Sequence, residues 1–115
     1  TGTNLLYTND VLQFSNLAVR NAWFSGGVEW NMGIIGHTPY TTAPFYTAVT
    51  ETQTGAPVLR MYEYERIRKV PYQMDFWLEE EDRALNCRMR IVNESEEVIP
   101  MYWWSNMAVP EYEDG

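Results

Sequence analysis

The chain has 115 residues, 45% hydrophobic and 15% aromatic, enough for one domain around one core and too apolar for a disordered chain. Its formal net charge of −8 argues against a nucleic-acid partner, which needs a basic surface to neutralise phosphates. No apolar run approaches the ~18 residues that span a bilayer, and Thr1-Gly2-Thr3-Asn4 lacks the basic-then-apolar order of a leader, so no membrane partner is expected.

In chain order, residues 5–8 and 11–17 read as extended. Ser25-Gly26-Gly27 and Gly33-Ile34-Ile35-Gly36 then interrupt any long element. Residues 47–52 form a strand, and Thr54-Gly55-Ala56-Pro57 turns the chain into a second one over 57–67. From there the period is two. Tyr72, Met74, Phe76 and Leu78 alternate with Gln73, Asp75, Trp77 and Glu79, the pattern of a strand with one apolar face.

The cluster Glu79-Glu80-Glu81-Asp82 is a solvated turn or, alternatively, a cation site, and it leads into a strand over 83–93. Asn93-Glu94-Ser95-Glu96 makes a further polar turn before a strand over 97–106, so the last three strands are expected to form a meander. Asn93-Glu94-Ser95 also fits the glycosylation pattern, a match short enough to arise by chance. Without a helical stripe, repeat or low-complexity linker, the sequence predicts an all-β fold, an antiparallel β-sandwich occupying residues 1–115 as a single domain.

Cys87 is the only cysteine, which rules out an internal disulfide and a zinc site of paired thiolates. It shares a face with Leu85, Met89 and Ile91, where a small buried hydrophobe is expected. Five tryptophans and the carboxylates Glu29, Glu63, Glu65 and Glu111 populate the polar-apolar boundary. Flat rings suit the C–H face of a pyranose and carboxylates suit its hydroxyls, although core packing also consumes such rings. In Met101-Tyr102-Trp103-Trp104-Ser105-Asn106, Trp103 and Trp104 must point to opposite faces, which leaves one of them for a ligand or partner.

Glu29 follows a double glycine and is either a turn carboxylate or an acid or base. His37, the only histidine, is a general acid or base, one ligand of a metal, or a turn residue bonded to backbone. Glycoside hydrolysis needs two carboxylates roughly 5 to 9.5 Å apart, a separation that sequence does not measure. Arg60 and Arg66 alternate with Tyr62 and Tyr64, and Arg88 with Arg90 faces away from the Cys87 row. The Arg60 face is suited to an acidic sugar or to cross-strand pairing with neighbours of the Glu63 type.

Ser25-Gly26-Gly27-Val28-Glu29-Trp30-Asn31, Gly36-His37-Thr38-Pro39, residues 59–66 and the stretch from Tyr102 to Glu111, above all Trp103-Trp104-Ser105-Asn106, resemble an uncharacterised bacterial family. Its members are similar to the galactose-mutarotase-like supersandwich, and tetratricopeptide repeats follow in many of them. The resemblance implies a sugar-facing sheet, with the cytoplasm favoured as the compartment of a bacterial protein. In the wider group an Asn, a polar turn and Pro precede a catalytic histidine, and another histidine precedes the Gly-Gly motif. Here Ser105 and Asn106 follow Pro100, and Ser25 precedes Gly26. Mutarotation needs an acid and a base, and neither expected imidazole is present.

These observations predict a carbohydrate-recognising or carbohydrate-processing fragment of a larger supersandwich, inactive alone, with Glu29 and His37 as catalytic candidates. Trp30, Trp103, Trp104, Asn106, Glu111 and Arg66 are the expected ligand contacts; no cofactor or metal is implied. The alternative is a non-catalytic structural or protein-interaction module. Sheet edges left open in a fragment predict homodimerisation or edge-strand pairing.

Overall fold

The computed structural model describes residues 2–9, 26–33 and 43–111. Among them there is no helix and every strand pairing is antiparallel, in the order β1 (Val28–Met32), β2 (Tyr46–Glu51), β3 (Pro57–Glu65), β4 (Val70–Trp77), β5 (Asn86–Ile91) and β6 (Trp103–Met107). The all-β class expected from the period-two pattern is therefore observed, and no helix of the described residues is long and apolar enough to cross a membrane. The chain divides into two compact units, Thr1–Ala43 with Pro100–Gly115, and Pro44–Ile99.

The first unit holds the two-stranded sheet β1-β6, in which Glu29 faces Asn106 and Met32 faces Trp103. Its end is closed by residue 7: Tyr7 N–H donates to Ala108 O at 3.0 Å, Gly27 N–H to Tyr7 O at 3.0 Å and Ala108 N–H to Gly27 O at 2.9 Å. Gly27 has φ 62°, a left-handed conformation that a β-carbon would disfavour, so the second glycine of the pair is required by the backbone. Residues 5–8 form no strand, although Tyr7 joins this backbone network. The expected extended run over 11–17 lies outside the described residues.

The second unit is a four-stranded meander, β2-β3-β4-β5. The β2–β3 turn falls where expected: Thr52 N–H donates to Ala56 O at 2.9 Å, and Gly55 takes φ 88°. The β3–β4 connection is tighter than the sequence suggests. β3 stops at Glu65, two residues before the expected end, because the buried Glu65 carboxylate accepts the amides of Ile67 and Arg68 and bends the chain into the turn 66–69.

The acidic cluster is a turn, with Asp82 N–H donating to Glu79 O at 3.1 Å and Glu79 N–H to the Asp82 carboxylate at 2.9 Å. No group of three or more possible metal ligands occurs among the described residues. The expected meander partner of β5 is corrected. The strand over 97–106 shrinks to β6 and pairs with β1 instead, while Asn93 accepts Ser95 N–H at 3.0 Å and donates to Glu97 O at 2.8 Å, folding the intervening chain into an exposed bend. Local alternation marks a strand and says nothing about which distant strand it meets.

The register separates two faces of the meander. One carries Val49, Leu59, Met61, Val70, Met74, Phe76, Leu85, Cys87 and Met89, with Val70 and Met74 fully buried as its core. Cys87 is exposed and not buried as expected, because β5 is an outer strand whose neighbour Leu85 is itself 62% exposed. Partial burial, and after it the charge of Asp75, still raises the thiol pKa, so little thiolate forms at neutral pH. Replacing Met74 by Ala is expected to lower the unfolding free energy by about 2–5 kcal/mol, whereas Val49→Ala, at an 80% exposed position, changes it by under about 0.5 kcal/mol. Urea denaturation of the two variants measures both.

Candidate functional site

The opposite face of the meander is polar and aromatic: Tyr46 and Thr50 on β2, Arg60 and Tyr62 on β3, Gln73, Asp75 and Trp77 on β4, Arg88 and Arg90 on β5. Strand alternation brings Arg60 and Arg88 to either side of Asp75 as its direct cross-strand neighbours. Asp75 is completely shielded from solvent, and a carboxylate in that position must be both paired and hydrogen-bonded. It is. Arg60 Nε donates to Oδ1 at 2.7 Å, Arg60 Nη2 to Oδ2 at 2.9 Å, Arg88 Nη2 to Oδ2 at 2.9 Å and Gln73 Nε2 to Oδ2 at 3.1 Å.

The hydrogen bond from Arg60, aided by that from Arg88 and by both positive charges, outweighs desolvation and holds the Asp75 carboxyl at a pKa of about 2. Asp75 is thus a fixed anion and cannot serve as a general acid near neutral pH. Its task in this geometry is to hold the two guanidiniums. Arg88 also lies over the Trp77 ring at 5.6 Å, while Tyr46 and Tyr62 stack at 5.6 Å with 25° between their planes and remain largely exposed.

Two open depressions meet at Arg60. One, of about 480 Å³, is lined by Thr50, Thr52, Thr54, Trp77 and Arg88 among others; the second, of about 410 Å³, by Tyr62, Gln73 and Arg90 among others. Both fall in the size range of small-ligand sites. On the other face, Tyr72 packs edge-on to Phe45 at 6.0 Å. Its hydroxyl is pushed up to about 12 by burial first, then by Glu63 and Glu65, so it acts only as a neutral group.

The candidates read from the sequence are distributed as follows. Glu29 and Asn106 meet in the first unit, where Asn106 Nδ2 donates to Glu29 Oε2 at 3.3 Å, and Trp104 shares their face by register. Trp30 and Trp103 stack on the reverse face at 5.7 Å and 15°. Trp103 and Trp104 therefore do part to opposite faces. Glu111 lies exposed beyond β6, Arg66 is exposed in the 66–69 turn of the second unit, and His37 lies outside the described residues.

Arg60 takes part in cross-strand ion pairing, but its partner is Asp75; Glu63 lies on the opposite face and accepts Tyr64 N–H at 2.7 Å. The Asp75 cluster was not anticipated, although a lone aspartate in a polar row, with arginines at matching alternate positions of both flanking runs, is a signal that the register turns into contact.

The fold and this face define an all-β protein with an aromatic and charged sheet surface. The model of one family, described as a domain of unknown function (DUF5107), matches residues 1–115, and the chain belongs to that family. No solved structure matches the chain.

Asp75→Asn is expected to cost about 3 kcal/mol at neutral pH, the low end for breaking a buried ion pair because both guanidiniums keep access to water. The folded pKa lies below the ordinary 3.8, so the stabilisation from Asp75 is complete above that value and is lost as pH falls toward 2. Denaturant unfolding of both proteins should show the gap closing over that window.

Proposed function

We propose that the chain is a carbohydrate-binding β module, part of a larger galactose-mutarotase-like supersandwich of the kind that tetratricopeptide repeats can follow, without the mutarotase histidines. The observation that carries this reading is the exposed Tyr46–Tyr62 stack beside the guanidiniums fixed by Asp75. Rings cover the apolar face of a pyranose, and donors and acceptors already held in place accept its hydroxyls without an ordering cost at binding. Thr50, Thr52 and Thr54 add hydroxyls along the same depression, and Thr52 and Thr54 already bond each other at 2.7 Å. Trp104, Glu29 and Asn106, which share one face of the β1-β6 sheet, offer an aromatic ring and polar groups of the same kind in the other unit.

Calorimetric titration against a panel of neutral and acidic oligosaccharides tests this. Tyr62→Ala and Trp77→Ala are each expected to weaken binding about tenfold, the loss for removing a well-placed aromatic contact of about 1.4 kcal/mol. No binding to any member, with tryptophan fluorescence unchanged, would overturn the reading.

A structural or interaction module is the second reading, favoured by the opposite face, where Val49, Leu59, Leu78 and Leu85 are exposed around a shallow apolar depression. Under this reading β2, an outer strand exposed along its whole length, pairs edge to edge with a second copy. Light scattering should then report a dimer whose fraction rises with concentration, and a monomer at every concentration would remove the self-pairing form.

A further inference from the structure

Resting on the carbohydrate reading, we propose that the polar face of the meander selects acidic saccharides, binding the carboxylate of a uronic acid through the outward edge of Arg88 with Arg90 beside it. Asp75 takes one N–H of Arg88, at Nη2, which leaves the second Nη2 hydrogen to form a fork with Nε–H or Nη1–H on the side away from the aspartate, and the side chain is 64% exposed. A guanidinium bonded at one end to a buried anion and lying over the Trp77 ring is partly ordered before any ligand arrives. Its remaining edge matches the two oxygens of a carboxylate.

Arg90 stands two positions along the same strand on the same face, roughly 7 Å away by the strand rise, and carries no ion pair among the described residues. It lines the second depression with Tyr62, while Arg88 lines the first; the two depressions meet at Arg60, so an oligosaccharide with one ring against Tyr62 has a path along which an acidic substituent reaches the β5 arginines. Glu51, Glu63 and Glu79 also line the margins, which makes the contribution of net charge small. Glu51 and Glu63 belong to the other face by register, and Glu79 already accepts Thr54 Oγ1 at 2.6 Å. Selectivity comes from the shape of the free guanidinium edge.

The test is calorimetric titration of the whole chain with glucuronide, galacturonide and mannuronide oligomers, each against its methyl ester, which keeps the sugar and removes the charge. The acid form of at least one oligomer is expected to bind about tenfold or more tightly than its ester, with the preference shrinking as salt rises. Arg88→Gln should abolish most of that preference, and Arg88→Lys should restore only part of it, since an ammonium keeps the charge and loses the fork. Arg90→Gln, at a residue without an ion pair among those described, provides a variant that cannot act through the Asp75 cluster. Circular dichroism checks that each variant is folded.

Equal binding of acid and ester, or an unchanged preference in both Arg88 variants, overturns the acidic specificity while leaving the carbohydrate reading in place. Failure of every acidic and neutral oligomer to bind overturns both.

Discussion

A carboxylate with no access to water organises the second unit. Burying Asp75 alone would cost several kcal/mol, and the meander tolerates it because β3 and β5 each deliver an arginine at the directly opposed position. The requirement is geometric as much as electrostatic, since four donor contacts converge on two oxygens and the three from Arg60 and Arg88 depend on the strand register. Shifting either flanking strand by one residue would put Leu59 or Cys87 where a guanidinium is needed. The cluster therefore joins pairing specificity to surface chemistry: the contacts that fix the strands also aim Arg88 outward.

The two faces of this sheet divide the protein's chemistry. Val70 and Met74 supply the apolar core on one side, and on the other the rings and guanidiniums stand half in water. The smaller β1-β6 sheet repeats the division, with Trp30 and Trp103 on one side and Glu29, Trp104 and Asn106 on the other. In both sheets the amphipathic aromatics occupy the boundary, where a ring buries apolar area and keeps an edge or hydroxyl available.

Much of the fold was legible because alternation is a local property. The strand from Tyr72 onward, the hairpin turn at Gly55 and the parting of Trp103 from Trp104 all follow from side chains reversing direction at each residue. What could not be read depends on partners distant in sequence. That β6 meets β1 across more than seventy residues is set by long-range pairing, as is the 3.3 Å contact of Asn106 with Glu29. Cys87 misled for a related reason: its row is apolar, but β5 is an outer strand, and rank within a sheet is absent from local periodicity. Arg60 was legible as an ion-pairing residue while its partner was not, since choosing Asp75 over Glu63 requires the register.

The turn at 66–69 carries a different kind of information. Glu65 clasps the Ile67 and Arg68 amides, and Lys69 adopts φ 59°, so the reversal has a fixed number of residues. That number keeps Arg60 level with Asp75, and a single added residue would offer the aspartate an aliphatic neighbour. The stretch joining β4 to β5 has its own clasp between Glu79 and Asp82, but it is longer and exposed over most of its length, so an added residue can bulge into solvent without moving Arg88. Length variation in relatives of this protein should accordingly gather in the acidic connection and spare the clasped reversal.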